Sequence, residues 1–254
     1  MALPGPAFYD QAAVFESYMQ HRAQAAAPNN TMEGPLLREL LGDVQGQDVL
    51  DLGCGAGGFG SELLADGAAS YLGVDGSANM VAQARKQLQS DTRAQVVQAD
   101  LQTWPMPAAR FSRVTARLVL HYLPALEPLL QAVHAALRPG GRLVFSVEHP
   151  VITCCDRAWR GQGLRQEWIV DDYFRTGERE TDWIGSRVRK YHRTVEDHFL
   201  ALQACGFMVE SLREGRPERA RFQDDADFER RQRIPLFLVM AAHKAPASAE
   251  APAG

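Results

Sequence analysis

The run Val49-Leu50-Asp51-Leu52-Gly53-Cys54-Gly55-Ala56-Gly57-Gly58-Phe59-Gly60 constrains this chain more than any other stretch. An apolar strand enters a glycine-rich turn, and a helix starts directly beyond it. Glycines at such a turn remove the Cβ atoms that would keep a ligand off the backbone. The helix then offers unpaired N–H groups and the positive end of its dipole. Such turns hold nucleotide-like ligands in the crevice at the carboxyl ends of a parallel sheet. Gly55, Gly57 and Gly60 also fit the dinucleotide fingerprint G-x-G-x-x-G, which alone is a weak signal.

Three acidic residues narrow the choice of ligand. Asp51, at the strand end before the glycines, would repel a pyrophosphate and suits an ammonium or sulfonium charge. S-adenosylmethionine (SAM) carries both and has no phosphate. Asp75 closes the next strand, where a carboxylate can accept hydrogen bonds from ribose hydroxyls, a feature that NAD enzymes share. Asp100 closes a third strand and could bind an adenine amino group.

Four segments carry a resemblance: Val49 to Gly57, Gly73-Val74-Asp75-Gly76-Ser77, Ala99-Asp100-Leu101, and Leu137-Arg138-Pro139-Gly140-Gly141-Arg142-Leu143. With them the chain resembles the class I SAM-dependent methyltransferases over about residues 45–148. The resemblance implies an α/β fold: a seven-stranded, mostly parallel, doubly wound sheet of Rossmann-like type, its last strand antiparallel. It implies SAM as cofactor and S-adenosyl-L-homocysteine as product, and a methyl acceptor atom (O, N or C) on a small organic molecule. Other readings are an RNA or protein methyltransferase, a SAM-binding module without catalysis, and an NAD enzyme.

Periodicity and turn signals predict helices over 10–26 and 35–42, then strand 48–52, helix 58–66, strand 70–74, helix 77–89 and strand 94–98. Strand 112–118, helix 125–137, strand 142–148, helix 194–205 and strands 207–213 and 235–243 follow. The expected organisation is an N-terminal helical segment over 1–44, a SAM-binding core over 45–149, a substrate lid inserted after strand five over 150–193, the rest of the core over 194–244, and a disordered tail over 245–254. The stretch 214–233 mixes Arg with Asp and Glu and reads as a solvated face.

The net charge of −4 argues against a large basic footprint, so a nucleic-acid partner is not expected. No stretch is long and apolar enough to span a bilayer, and Met1 to Pro6 lack a signal-peptide pattern. A cytoplasmic protein is the expectation. The four cysteines fit a reducing compartment, and with Cys154 and Cys155 adjacent rather than in C-x-x-C spacing, no metal site is expected.

Within the expected site, Gly53, Gly55 and Gly57 bring backbone to the methionyl part of SAM, and Asp51 takes its ammonium directly or through water. Asp75, with Gly76 beside it, grips the ribose. The resemblance places Ser77 and Met80 at ribose and adenine, and Asp100 and Leu101 frame the adenine. Tyr18 and Arg22, spaced i, i+4, share a helix face. Arg22 resembles the N-terminal arginine with which relatives bind the cofactor carboxylate. One position departs from the pattern: Arg117 stands where relatives carry a small residue, leaving its backbone as the expected contact.

Methyl transfer is an in-line displacement in which alignment does most of the catalysis. Candidate acid–base groups are His121, after strand four, and Glu148 and His149, closing strand five. Pro150 biases His149 toward an extended backbone that could project its ring into the cleft. Tyr122, Trp183, Tyr191, His192 and Arg193 are the expected acceptor-pocket residues, with Trp159, Trp168 and Trp183 as a candidate aromatic wall.

Overall fold

The computed structural model describes residues 2–157, 159–160 and 167–247. Two short helices open it: α1 (Gly5–Tyr9), which was not expected, and α2 (Ala12–Arg22), which falls within the expected 10–26. Pro6, near the start of α1, suits a first turn that needs no N–H donor. The break falls at Asp10, whose carboxylate bonds elsewhere. A π-helical turn, Asn29–Glu33, leads into α3 (Gly34–Leu41).

The core then alternates strand and helix: β1 (Asp48–Leu52), α4 (Gly58–Ala65), β2 (Ser70–Asp75), α5 (Ala78–Leu88), β3 (Ala94–Gln98), β4 (Phe111–Arg117), α6 (Glu127–Ala136) and β5 (Leu137–Glu148). A one-turn helix, α7 (Pro150–Thr153), and two two-residue strands, β6 (Trp159–Arg160) and β7 (Glu167–Trp168), follow. Next come a hairpin of β8 (Gly177–Trp183) and β9 (Ser186–His192), then α8 (Val195–Ala204), β10 (Phe207–Glu214), α9 (Asp225–Gln232) and β11 (Phe237–Lys244).

Seven strands form one sheet in the order β10-β11-β5-β4-β1-β2-β3. Six run the same way. β11 is antiparallel to both neighbours, β5 and β10, as expected for the last strand. Strand order reverses between β1 and β4, so the crevice outside their carboxyl ends is the topological switch point where such sheets bind ligands. Period-two burial builds a core on each face. Leu50, Leu52, Leu72, Val74 and Val114 pack on one side, and Val49, Tyr71, Val144 and Val239 on the other.

Residues 177–192 of the insertion after β5 form a regular hairpin where an irregular segment was expected. Glu178 and Glu180 on β8 meet Arg189 and Arg187 on β9 at 3.1 and 3.0 Å, so the charges that read as loop are cross-strand pairs. The hairpin is joined to the N-terminus. Leu3 donates to the Arg187 carbonyl and accepts from the Arg189 amide, bridging beside Val188. Phe8, Val14 and Val188 then bury together, with Leu3, Tyr9, Tyr122, Trp183 and Ile184 around them. The segments expected as separate pieces, 1–44 and 150–193, thus share a small core. Among residues 214–233, α9 buries no side chain and is capped by Asp224, which accepts from the Ala226 amide. Residues 248–254 of the expected tail lie outside the described residues.

Candidate active site

The glycine turn is shaped by close approaches. Gly53, at φ +71°, leaves no room for a Cβ, which would sit 2.6 Å from Val119. A Cβ on Gly55 would meet nothing within 4 Å, so this backbone borders open space. Gly57 is the left-handed N-cap of α4. The Gly55 amide donates to Asp75 Oδ2 at 2.9 Å, and the Ser77 amide to Oδ1 at 2.9 Å. Two backbone donors therefore aim the Asp75 carboxylate, leaving its remaining lone pairs for a ligand. Burial still pushes Asp75 above the usual carboxylate range, against the pull of those amides.

Asp51 is buried behind this turn. It accepts from the Tyr71 hydroxyl at 2.8 Å and from the Thr115 hydroxyl at 2.8 Å. Desolvation pushes its pKa up to about 6, with both hydroxyls and the Arg117 charge opposing the rise.

The N-terminal segment closes over the same crevice. Asp10 accepts from Ser77 Oγ at 2.6 Å and from the Asn79 amide at 3.1 Å, while Asn79 Nδ2 donates to the Tyr9 and Asp10 carbonyls. Ser77 Oγ in turn accepts from the Met80 amide and caps α5. Pro6 lies against Gly76, where a Cβ would stand 2.6 Å from the proline ring. Asp10 and Tyr9 had no sequence signal, because their partners are residues far along the chain.

Arg22 is half-buried, and its Nη1 is buried with no hydrogen-bond partner among the described residues. Tyr18 sits within the electrostatic reach of Arg22, Arg117, Asp75 and Glu33. Arg117 donates Nε and Nη2 to Glu33 at 3.2 and 2.6 Å, and its guanidinium lies 4.4 Å from the Phe59 ring centroid. Ser146 donates to the same Glu33 at 2.7 Å. The departure at Arg117 is therefore matched by a buried acid from the π-turn. At the adenine end, Asp100 is exposed and accepts from the Gln102 amide, while Leu101 and Met80 are buried.

Beyond β4 the chain turns sharply. Leu118 has φ +52°, an uncommon conformation for a non-glycine residue, and its amide is held by the Ser146 carbonyl at 2.9 Å. The following turn presents His121 and Tyr122. They join a polar–aromatic cluster at the carboxyl ends of β4 and β5. Lys190 Nζ donates to both oxygens of Glu148, at 2.7 and 2.8 Å. Lys190 is 2 % exposed and lies 5.9 Å from the Tyr122 ring and 5.6 Å from the Trp183 ring. The Tyr9 and Tyr122 hydroxyls share a hydrogen bond of 2.9 Å, and the Tyr18 ring packs edge-on to Tyr9. Glu148 is held ionised below its usual range: burial raises its pKa, but the charge and hydrogen bonds of Lys190 win. Burial pushes the His121 imidazole down to about 4, so it is neutral at physiological pH.

Several expected residues lie elsewhere. His149 does not project into the cleft. Its Nδ1 accepts from the Val151 amide, capping α7, and its Nε2 lies 3.0 Å from Glu214. Burial lowers its pKa despite Glu214. His192 is buried between Thr153 and the Tyr173 carbonyl, at 2.8 and 2.9 Å. Arg193 latches the Leu123 and Pro124 carbonyls. Tyr191, His192 and Arg193 border a cavity of about 400 Å³ against Pro124 and α8 rather than the Glu148 cluster. Alternation explains Tyr191: Val188, Lys190 and His192 turn inward along β9, and Tyr191 does not. Trp168 donates to the Val151 carbonyl, and the Trp159 side chain lies outside the described residues.

The orphan Arg22 donor, the open space at Gly55 and the aimed Asp75 carboxylate fit a ligand that carries a carboxylate and a ribose. The comparisons agree. Residues 49–141 match the family described as "Methyltransferase domain". The crystal structure of an S-adenosylmethionine dependent methyltransferase from Mesorhizobium loti is 36% identical, with a TM-score of 0.78, covering 88% of this chain and 100% of that one. An uncharacterized protein of Haemophilus influenzae is 31% identical over 81% of this chain and 85% of its own length. The malonyl-[acyl-carrier protein] O-methyltransferase of Enterobacter lignolyticus is 38% identical, but over 39% of this chain and 38% of its own length.

Proposed function

Because this chain belongs to the class I SAM-dependent methyltransferases, we propose that its methyl acceptor is a small organic molecule seated on the Glu148–Lys190 cluster. SAM supplies an electrophilic methyl carbon. The protein's part is to hold the cofactor at Arg22, Asp51, Asp75 and the glycine turn, and to align the acceptor against it. Alignment of this kind is worth about 7–11 kcal/mol of barrier.

The observation that carries this reading is the shared roof. Tyr9 from α1 and Trp183 from the hairpin stand over Tyr122 and Lys190, so the cluster lies under chain rather than on an open face. A buried ion pair costs desolvation that an apolar pair would not. Its presence at the strand tips fits a site that orients a polar acceptor. Glu148, the more exposed partner at 21 %, is the group positioned to receive a hydrogen bond or a proton from the acceptor. His121 and Tyr122 flank it. The acceptor atom is O, N or C, and the relatives include O-methyltransferases of malonyl-[acyl-carrier protein] and of ubiquinone biosynthesis.

The test is isotope transfer. Protein with methyl-labelled SAM is offered a small-molecule filtrate of cell extract, the retained proteins, or the extracted RNA. Label in the filtrate fraction supports the reading. Label confined to RNA or protein overturns it.

A further inference from the structure

Arg117 occupies a place where a long cation has no need to be unless it meets an anion. Glu33 is that anion inside the protein, but it uses only part of the guanidinium. Nε and Nη2 go to Glu33, and the Arg117 side chain remains 15 % exposed while Glu33 is fully buried. An arginine fork has five donors, so Nη1 is outside that pairing. The plane of the group is fixed on its other side by Phe59, the second residue of α4, directly beyond the glycine turn. Glu33 is itself immobilised by Ser146 from β5. The guanidinium is thus locked in orientation, and because Arg117 directly follows Ala116, which pairs with Leu52 at the end of β1, its residue stands level with the glycine turn. Arg22, at the end of α2, has a buried Nη1 with no hydrogen-bond partner among the described residues. The Tyr18 ring, one helical turn before Arg22, packs on Tyr9 next to the Asp10–Ser77 contact, and the charges of Arg22, Arg117 and Asp75 all act on it, so both arginines lie near this wall of the crevice.

We infer that Arg117, held by Glu33, binds the α-carboxylate of the cofactor's amino-acid end jointly with Arg22. A carboxylate between two guanidinium edges receives charge-assisted, geometrically specific hydrogen bonds. Asp51, buried behind the turn, lies close enough to Arg117 for their charges to interact. Glu33 is a positioning residue here: it touches no ligand and acts by fixing the fork.

The test separates the amino-acid end from the nucleoside. S-adenosylhomocysteine carries the α-amino acid, and 5′-methylthioadenosine lacks it but keeps the sulfur, ribose and adenine. Calorimetry is run with both ligands on the wild-type chain and on Arg117→Met, Arg117→Lys and Glu33→Gln. Arg117→Met should weaken S-adenosylhomocysteine about 10- to 100-fold and leave 5′-methylthioadenosine within about 2-fold. Arg117→Lys keeps the charge and loses the fork, so it should lose less, again only for the amino-acid ligand. Glu33→Gln should follow the same pattern. Equal losses for both ligands would make Arg117 a structural residue and overturn the assignment, as would unchanged S-adenosylhomocysteine affinity. If Arg117→Met does not fold, the Lys variant decides by the same criterion.

Discussion

Replacing Asp51 by Asn should stabilise this protein and cripple its cofactor binding at once. Asp51 is a fully buried carboxylate whose pKa is raised from 3.8 to about 6. A raised folded-state value means that the fold prefers the protonated form. The stability this group contributes is present below about pH 3.8 and is lost as pH climbs through 6. The difference of about 2.2 pKa units, at 1.36 kcal/mol per unit, puts the loss at about 3 kcal/mol by pH 7.5. Asparagine keeps the shape and cannot ionise. The Tyr71 and Thr115 hydroxyls that now donate to Asp51 can each rotate to serve an amide. In urea unfolding, Asp51→Asn should therefore exceed the wild type by up to about 3 kcal/mol at pH 7.5. Near pH 5 the advantage should shrink to about half, and it should vanish below pH 4. S-adenosylhomocysteine affinity of the variant should fall at pH 7.5. A stability difference that stays constant from pH 4 to 7.5, or a variant less stable at pH 7.5, would refute the reasoning that the carboxylate is destabilised by burial.

Other outcomes follow from the same geometry. His149→Ala should cost about 1–2 kcal/mol of stability, through the lost cap of α7, with turnover changed less than about 3-fold; thermal unfolding and initial rates check both. Lys190→Met should destabilise by about 3–5 kcal/mol because it strands the Glu148 charge, and the double variant with Glu148→Gln should recover most of that in urea unfolding while remaining inactive. Gly55→Ala should cost about 1–2 kcal/mol for its left-handed backbone. Calorimetry should show a much larger proportional loss of cofactor affinity, because the new methyl group enters the open space at the turn.

The glycine turn and the carboxylates at the strand ends were legible because they sit in contiguous segments. The glycine turn and the carboxylates at the strand tips are spaced by the βαβ repeat, and Arg22 follows from one helical turn after Tyr18. What was missed depends on contacts between distant segments. Glu33 is 84 residues from Arg117, so Arg117 read as a defect until its partner was seen. Lys190 lay in a charged stretch taken as lid, although Val188, Lys190 and His192 alternate as a strand face would. His149 has the extended backbone that Pro150 favours, at φ −59° and ψ 141°. Backbone bias does not set ring direction, and the ring turned back to cap the helix that Pro150 begins.

The bridge of Leu3 to the β9 hairpin ties the first residues of the chain to the segment above Lys190. Asp10 ties those same residues to α5, above Asp75. One short N-terminal stretch is therefore pinned at both ends, to the β9 hairpin through Leu3 and to the start of α5 through Asp10, so displacing either anchor strains the other.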